Sequence, residues 1–124
     1  MKSRDGIVRL KRFQVEEKRR QLAQIDGMIA EFERMSAELT AQVAAEEART
    51  GITDVNHFAY STFAKAAHQR RDNLKASAGE LRVQRDGAAA ALALDEEELA
   101  RLAALADRED DRDDPRPAPS RKAG

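Results

Sequence analysis

The sequence has 124 residues, of which 36% are charged and 41% hydrophobic, whereas aromatic residues make up only 4%. So few large apolar side chains argue against a compact globular core, and a composition rich in Ala, Glu, Leu and Arg is typical of long helices. The absence of cysteine excludes disulfides and thiolate metal sites, and no apolar run approaches the ~18 residues of a membrane span or forms a signal peptide, so we expect a soluble, cytoplasmic protein.

An apolar seam predicts a first helix over residues 3–49. Its positions alternate in spacing between three and four residues: Leu22, Ile25, Ile29, Phe32, Ser36, Leu39 and Val43. Val8 and Val15 continue this register toward the start of the chain, where Lys11 and Lys18 weaken it. Further apolar residues there extend the face: Ile7, Leu10 and Phe13. Gly51 is the expected left-handed cap that ends the helix.

A turn over residues 50–59 is predicted next, with Thr53 and Asp54 as candidate N-caps of an irregular or short helical segment over residues 55–59. A second helix over residues 60–106 is predicted to follow. The expected seam of this helix is Tyr60, Phe63, Ala67, Leu74, Leu81 and Ala88, with Arg70 and Ser77 between them. Leu92, Leu99 and Leu102 fall out of that register, which predicts a four-residue stutter. Residues 107–124, acidic and then rich in proline, are expected to form a disordered tail.

The distribution of charge indicates how the two helices pair. Net charge alternates along the chain: residues 1–20 carry +5, residues 31–47 carry −4, residues 65–86 carry +3 and residues 95–114 carry −7. Folding the chain back near Gly51 sets each basic block against an acidic one, whereas a parallel arrangement would oppose like charges. The predicted fold is therefore all-α, a long antiparallel two-helix coiled-coil hairpin.

No catalytic motif is present, so we expect no enzyme activity and no catalytic residue. The sequence has no glycine-rich phosphate loop and no nucleophile elbow. His57 and His68 are eleven residues apart with no other histidine or cysteine, and we expect neither a metal nor a cofactor. The basic start of the chain is one candidate for nucleic-acid binding, but pairing with the acidic end of the hairpin accounts for it better, and we expect no nucleic-acid partner.

Three of the five aromatic residues, Phe58, Tyr60 and Phe63, lie within six residues of one another at the predicted turn. Two roles are open to them. They could close the end of the coiled coil, or an exposed aromatic cluster there could bind a protein partner.

Several segments resemble the flagellar export protein FliJ family, in its alphaproteobacterial form. They are MKSRD at residues 1–5, LKRFQV at 10–15, EKRRQL at 17–22, IAEFERM at 29–35, TGITD at 50–54 and HFAY at 57–60. The resemblance covers residues 1–106, and the junction at residues 51–63 is its most specific part, because heptad composition does not dictate those residues.

The resemblance implies a soluble, general component of flagellar type III protein export that is built like the stalk of a rotary ATPase. The implied partners are the flagellar export ATPase, the cytoplasmic domain of the export gate and the export chaperones. The protein would associate with the inner membrane only through these proteins. The free ends of the hairpin would enter the ATPase ring, and the turn would face the gate.

Under this hypothesis, two groups of residues bind partners. The residues expected to contact the ATPase are Arg4, Arg9, Lys11, Arg12, Lys18 and Arg19, and those expected to contact the gate are Phe58, Tyr60 and Phe63. The main alternative is a generic coiled-coil adaptor or spacer with no link to secretion.

Overall fold

Two helices make up nearly all of the described chain. The computed structural model describes the backbone of residues 2–113 and the side chains of residues 4–112. Helix α1 is Lys2–Thr50 and helix α2 is Thr62–Asp113, and the two pack against each other as an all-α helical hairpin. Within residues 2–113, neither helix contains a stretch sufficiently long and apolar to cross a membrane.

The chain divides into two compact units, each containing a part of both helices. Among the described residues, the end unit is formed by residues 2–20 and 89–113, and the turn unit by Gln21–Ala88. Each unit has its own buried side chains and its own interhelical ion pairs.

The buried stripe of α1 agrees with the predicted seam. In the turn unit, Ile29, Ser36, Leu39 and Val43 are buried, and in the end unit Val8 and Val15 are buried, with Val15 completely inaccessible. The other apolar residues near the start of α1 lie outside this stripe. Their side chains are largely exposed: Ile7, Leu10 and Phe13.

The seam of α2 differs from the predicted one at every second position. Ala64, not Phe63, is buried, and Ala78 is buried where the prediction placed Ser77. Ala67, Ala78 and Leu92 are separated by 11 and 14 residues, and both separations are sums of consecutive steps in the regular three-and-four alternation. The predicted stutter is therefore wrong. The sequence pattern favours the large Phe63 as a seam residue, whereas the packing of the two helices buries Ala64 and Ala78.

The helices are antiparallel in both units, as the charge blocks predicted. In the end unit, Arg19 reaches Glu96 at 2.8 Å and Arg4 reaches Glu109 at 3.4 Å, so later positions on α1 meet earlier positions on α2. In the turn unit, Arg85 lies 3.1 Å from Asp26 and Arg82 pairs with Glu33. In each pair a basic residue on one helix meets an acidic residue on the other.

The end of α2 lies seven residues beyond its predicted position. Residues 107–113, assigned to the tail from sequence, continue the helix to Asp113. One acidic residue of this segment, Glu109, pairs with Arg4 near the start of α1, and this contact favours continuation of the helix. The rest of the predicted disordered tail, residues 114–124, lies outside the described residues.

The seam predicts an unusual ranking of two substitutions. Val15→Ala removes a fully buried side chain and should lower the free energy of unfolding by about 2 kcal/mol. Phe13→Ala removes a larger side chain that is 60% exposed and should change it by no more than about 0.5 kcal/mol. Urea denaturation followed by circular dichroism would measure both, and a larger loss at Phe13 would contradict the described packing.

Candidate functional site

The predicted ATPase-binding residues lie in the end unit, where two lysines occupy the interhelical seam. Lys11 lies 2.9 Å from Glu98 and 3.6 Å from Asp95, and Lys18 also pairs with Asp95. The hydrogen bond with Glu98 raises the pKa of Lys11, and the hydrogen bond with Lys18 lowers the pKa of Asp95. The seam lysines thus hold the two helices together and are engaged within the protein itself.

The remaining four arginines of the predicted set fall into two pairs. Arg4 and Arg19 are bound to acidic residues of α2, Glu109 and Glu96 respectively. Arg9 and Arg12 are exposed, and neither forms an ion pair with any other residue whose side chain the structure describes. Of the six cations predicted to bind a partner, these two have their guanidinium groups available for one.

At the other end of α1, the turn begins at a glycine with a positive φ. Gly51 has φ of 76°, and its N–H donates to the carbonyl of Glu47 at 2.8 Å, so it ends the helix in the left-handed conformation that glycine adopts without strain. The hydroxyl of Thr50 accepts the next N–H, that of Ile52, at 3.2 Å. The predicted glycine cap is confirmed.

Residues 54–60 form two consecutive hydrogen-bonded turns. The carboxylate of Asp54 accepts the N–H of Asn56 at 2.9 Å, and the Asp54 carbonyl accepts the N–H of His57 at 3.0 Å. The imidazole Nδ1 of His57 accepts the N–H of Ala59 at 2.9 Å, and its carbonyl accepts the N–H of Tyr60 at 3.0 Å. Asp54 therefore caps the short segment that follows it, in agreement with its assignment as a candidate N-cap there.

The N-cap of α2 is Ser61. Its hydroxyl oxygen accepts the N–H of Ala64 at 3.1 Å, the usual N-cap to N3 bond, and the same hydroxyl donates to Glu46 at 2.6 Å. Arg49 also binds Glu46, and these two hydrogen bonds lower the pKa of the Glu46 carboxyl to about 2. One carboxylate on α1 thus fixes the first turn of α2.

Tyr60 is buried between the helices, with 8% of its surface exposed. Its hydroxyl donates to the Glu47 carboxylate at 2.6 Å and lies 3.0 Å from Nε2 of His68. Because the phenol has a single proton and gives it to Glu47, His68 must be the donor in the second bond. The resulting chain of hydrogen bonds connects α2, the turn and α1, so of the two roles open to Tyr60 the structure agrees with closing the end of the coiled coil.

Phe58 and Phe63 remain exposed. Phe58 is 96% exposed, and its ring stacks on the imidazole of His57 with centroids 4.7 Å apart. Phe63, near the start of α2, is 55% exposed. Val55, which lies in the same turn as Phe58 and is not among the residues predicted from sequence, is 44% exposed. Since the backbone around Phe58 is held by the hydrogen bonds of Asp54 and His57, an aromatic side chain is presented to solvent on an ordered turn.

Comparison with known proteins adds no relative. No protein-family model matches the chain, and no match was found among curated proteins or solved structures. Among the described residues, no group of three or more His, Cys, Asp or Glu side chains is arranged to hold a metal ion. The two surfaces described above, in the end unit and at the turn, are the candidates for function.

The buried Tyr60 should titrate at an unusually high pH. The bond to Glu47, followed by burial, raises its pKa from 10.0 to about 12. Folding therefore retains the phenol proton, so the free energy of unfolding has its full value below pH 10 and falls as the pH rises toward about 12. Tyr60 is the only tyrosine, so phenolate absorbance reports it alone.

We expect an absorbance midpoint near pH 12 for the folded chain and near 10 in denaturant. Tyr60→Phe removes the titrating group, so the free energy of unfolding should fall less between pH 10 and about 12 in this variant than in the wild type. A folded-state midpoint near 10 would contradict the buried hydrogen bond.

Proposed function

We propose that this protein is a non-enzymatic, stalk-like component of flagellar type III protein export. It would bind the export ATPase ring through the end unit and the cytoplasmic domain of the export gate through the turn, and it would assist the recycling of export chaperones. It would act in the cytoplasm and reach the inner membrane only through these partners. The proposal rests on the resemblance to the FliJ family, and the hairpin fold is compatible with it.

The observation that carries the proposal is the presentation of Phe58. This large aromatic side chain is 96% exposed, and the one ring it stacks on is that of its neighbour His57, so it contributes little to the packing of the hairpin. Aromatic side chains are the most frequent anchors in protein interfaces, and an anchor held by a hydrogen-bonded turn loses little conformational entropy on binding. The most specific part of the resemblance, residues 51–63, coincides with this turn.

The end unit supports a second contact. Arg9 and Arg12 extend from α1 without ion pairs among the described side chains, whereas Lys11 and Lys18 are paired with α2. We therefore narrow the proposed ATPase contact to Arg9 and Arg12. The paired cations would contribute less, because a partner would have to displace their existing carboxylates.

For the gate contact, Phe58→Ala should weaken binding to the purified cytoplasmic domain of the export gate by at least about tenfold. It should leave the melting temperature unchanged, since the ring is almost wholly in solvent. Val83→Ala is the matched control, because Val83 is 74% exposed but lies away from the turn. Isothermal titration calorimetry measures the affinities. Equal binding by the Phe58 variant and wild type would refute the assignment of this residue.

For the ATPase contact, the double substitution Arg9→Glu with Arg12→Glu should weaken binding to the export ATPase by roughly tenfold at low salt and by less at high salt. The control is the double substitution Lys65→Glu with Arg70→Glu. These two exposed cations of the turn unit also have no ion pair with a described side chain. Helicity should be unchanged in both variants. If the control weakens binding as much as the test variant, the contact is not specific to Arg9 and Arg12.

In cells, deletion of the gene should abolish the export of filament subunits, and wild-type protein should restore it where the Phe58→Ala variant does not. The spacer alternative gives normal export in the deletion strain. A swimming assay combined with immunoblotting of secreted flagellin distinguishes the two.

A further inference from the structure

A groove opens between the helices of the turn unit, where both seams contain a small residue. It has a volume of about 540 Å³, and Ser36 on α1 and Ala78 on α2 form its floor. Phe32 and Thr40 line it on α1, one turn to either side of Ser36. Since neither floor residue fills the space between the helices, the groove follows directly from the composition of the seam.

The floor of the groove contains a hydrogen-bond donor, the hydroxyl of Ser36, that has no partner among the described residues. Ser36 is 5% exposed, and its hydroxyl forms no hydrogen bond with the described residues, although its carbonyl accepts the Thr40 hydroxyl at 3.1 Å. A buried hydroxyl without a partner is unusual in folded proteins. This polar group lies in the floor of the groove, where an incoming acceptor could reach it.

The rim of the groove carries excess positive charge. Arg82 and Lys75 both line it on α2, and Glu33 lines it on α1. Glu33 is bound to Arg82, whereas Lys75 has no ion pair among residues 4–112. The net charge of these three rim residues is +1, and the uncompensated part is the ammonium group of Lys75.

We propose that this groove is a docking site for an acidic amphipathic helix of a partner protein. An apolar side chain of that helix would fill the space beside Phe32 and above Ala78, and an acidic side chain one turn away would pair with Lys75. The groove accommodates several side chains, as one face of a third helix requires, and a third helix along two packed helices is a common arrangement. This site is separate from the turn and from Arg9 and Arg12, and it does not depend on the proposed role in export.

The test uses two designed peptides with the full-length protein. Both are helices of about 20 residues with leucines at i, i+3, i+4 and i+7; one has glutamates beside the leucines and the other has lysines. Fluorescence anisotropy should show that the acidic peptide binds more tightly. Lys75→Glu should lower the affinity for the acidic peptide by at least about tenfold and raise the affinity for the basic peptide. Lys65→Glu, which changes a base outside the groove, should alter neither.

Two further variants test the groove itself. Ser36→Leu fills the floor and should abolish binding of the acidic peptide. Because Ser36 lies in the seam, Ala37→Trp provides a second variant that blocks the groove from an exposed wall position without changing the interhelical contact. Circular dichroism confirms that each variant is folded.

Three results would overturn the proposal. One is the absence of binding by the acidic peptide, and another is equal affinity for wild type and the Lys75→Glu or Ala37→Trp variants. The third is concentration-dependent self-association of the wild type in sedimentation velocity that Ala37→Trp removes, because the occupant would then be a second copy of this chain.

Discussion

Within residues 2–113, each helix has the other helix as its single neighbour, so only one stripe along it is buried. This constraint explains why Val15 is completely inaccessible while Phe13, two residues earlier, is 60% exposed. Hydrophobicity alone does not decide burial when the number of buried positions is fixed by geometry. Exposed apolar residues on the helices, such as Leu94, are therefore the expected result of a two-helix fold.

Because only one stripe of each helix is buried, the polar residues in that stripe strongly affect how the two helices align. Lys11 and Lys18 interrupt the apolar stripe of α1, and both meet Asp95 on α2. Shifting one helix relative to the other would leave these charges unpaired in the interface, so the ion pairs favour one register and one direction. Ser36 is the exception, since its hydroxyl has no partner among the described residues and lies in a groove. The polar seam residues thus differ in their roles: the lysines favour one alignment in the end unit, and Ser36 lies beside the groove of the turn unit.

Two aromatic residues of the turn, Phe58 and Tyr60, lie two positions apart but differ in role: one is exposed and the other is buried. Tyr60 is held by Glu47 and His68 between the helices, whereas Phe58 stacks only on His57 and faces solvent. The buried tyrosine fixes where the chain leaves the turn, and Asp54 fixes the shape of the turn before it. The proposed gate contact depends on this division, because the order of the turn lowers the entropic cost of using Phe58 as an anchor.

The sequence by itself determined the two helices, the seam of α1, the glycine cap and the antiparallel direction. These follow from local periodicity, the φ preference of glycine and the alternation of charge, all of which are properties of the chain taken in order. It also identified the nine residues proposed to bind partners. Only the tertiary structure separated the residues of that set that are buried or ion-paired from those that are exposed and unpaired. The burial of Tyr60 and the lack of an ion pair at Arg9 depend on which side chains the other helix places nearby. The seam of α2 was likewise decided by packing, because an alanine such as Ala64 becomes a buried position only when the opposite backbone comes close.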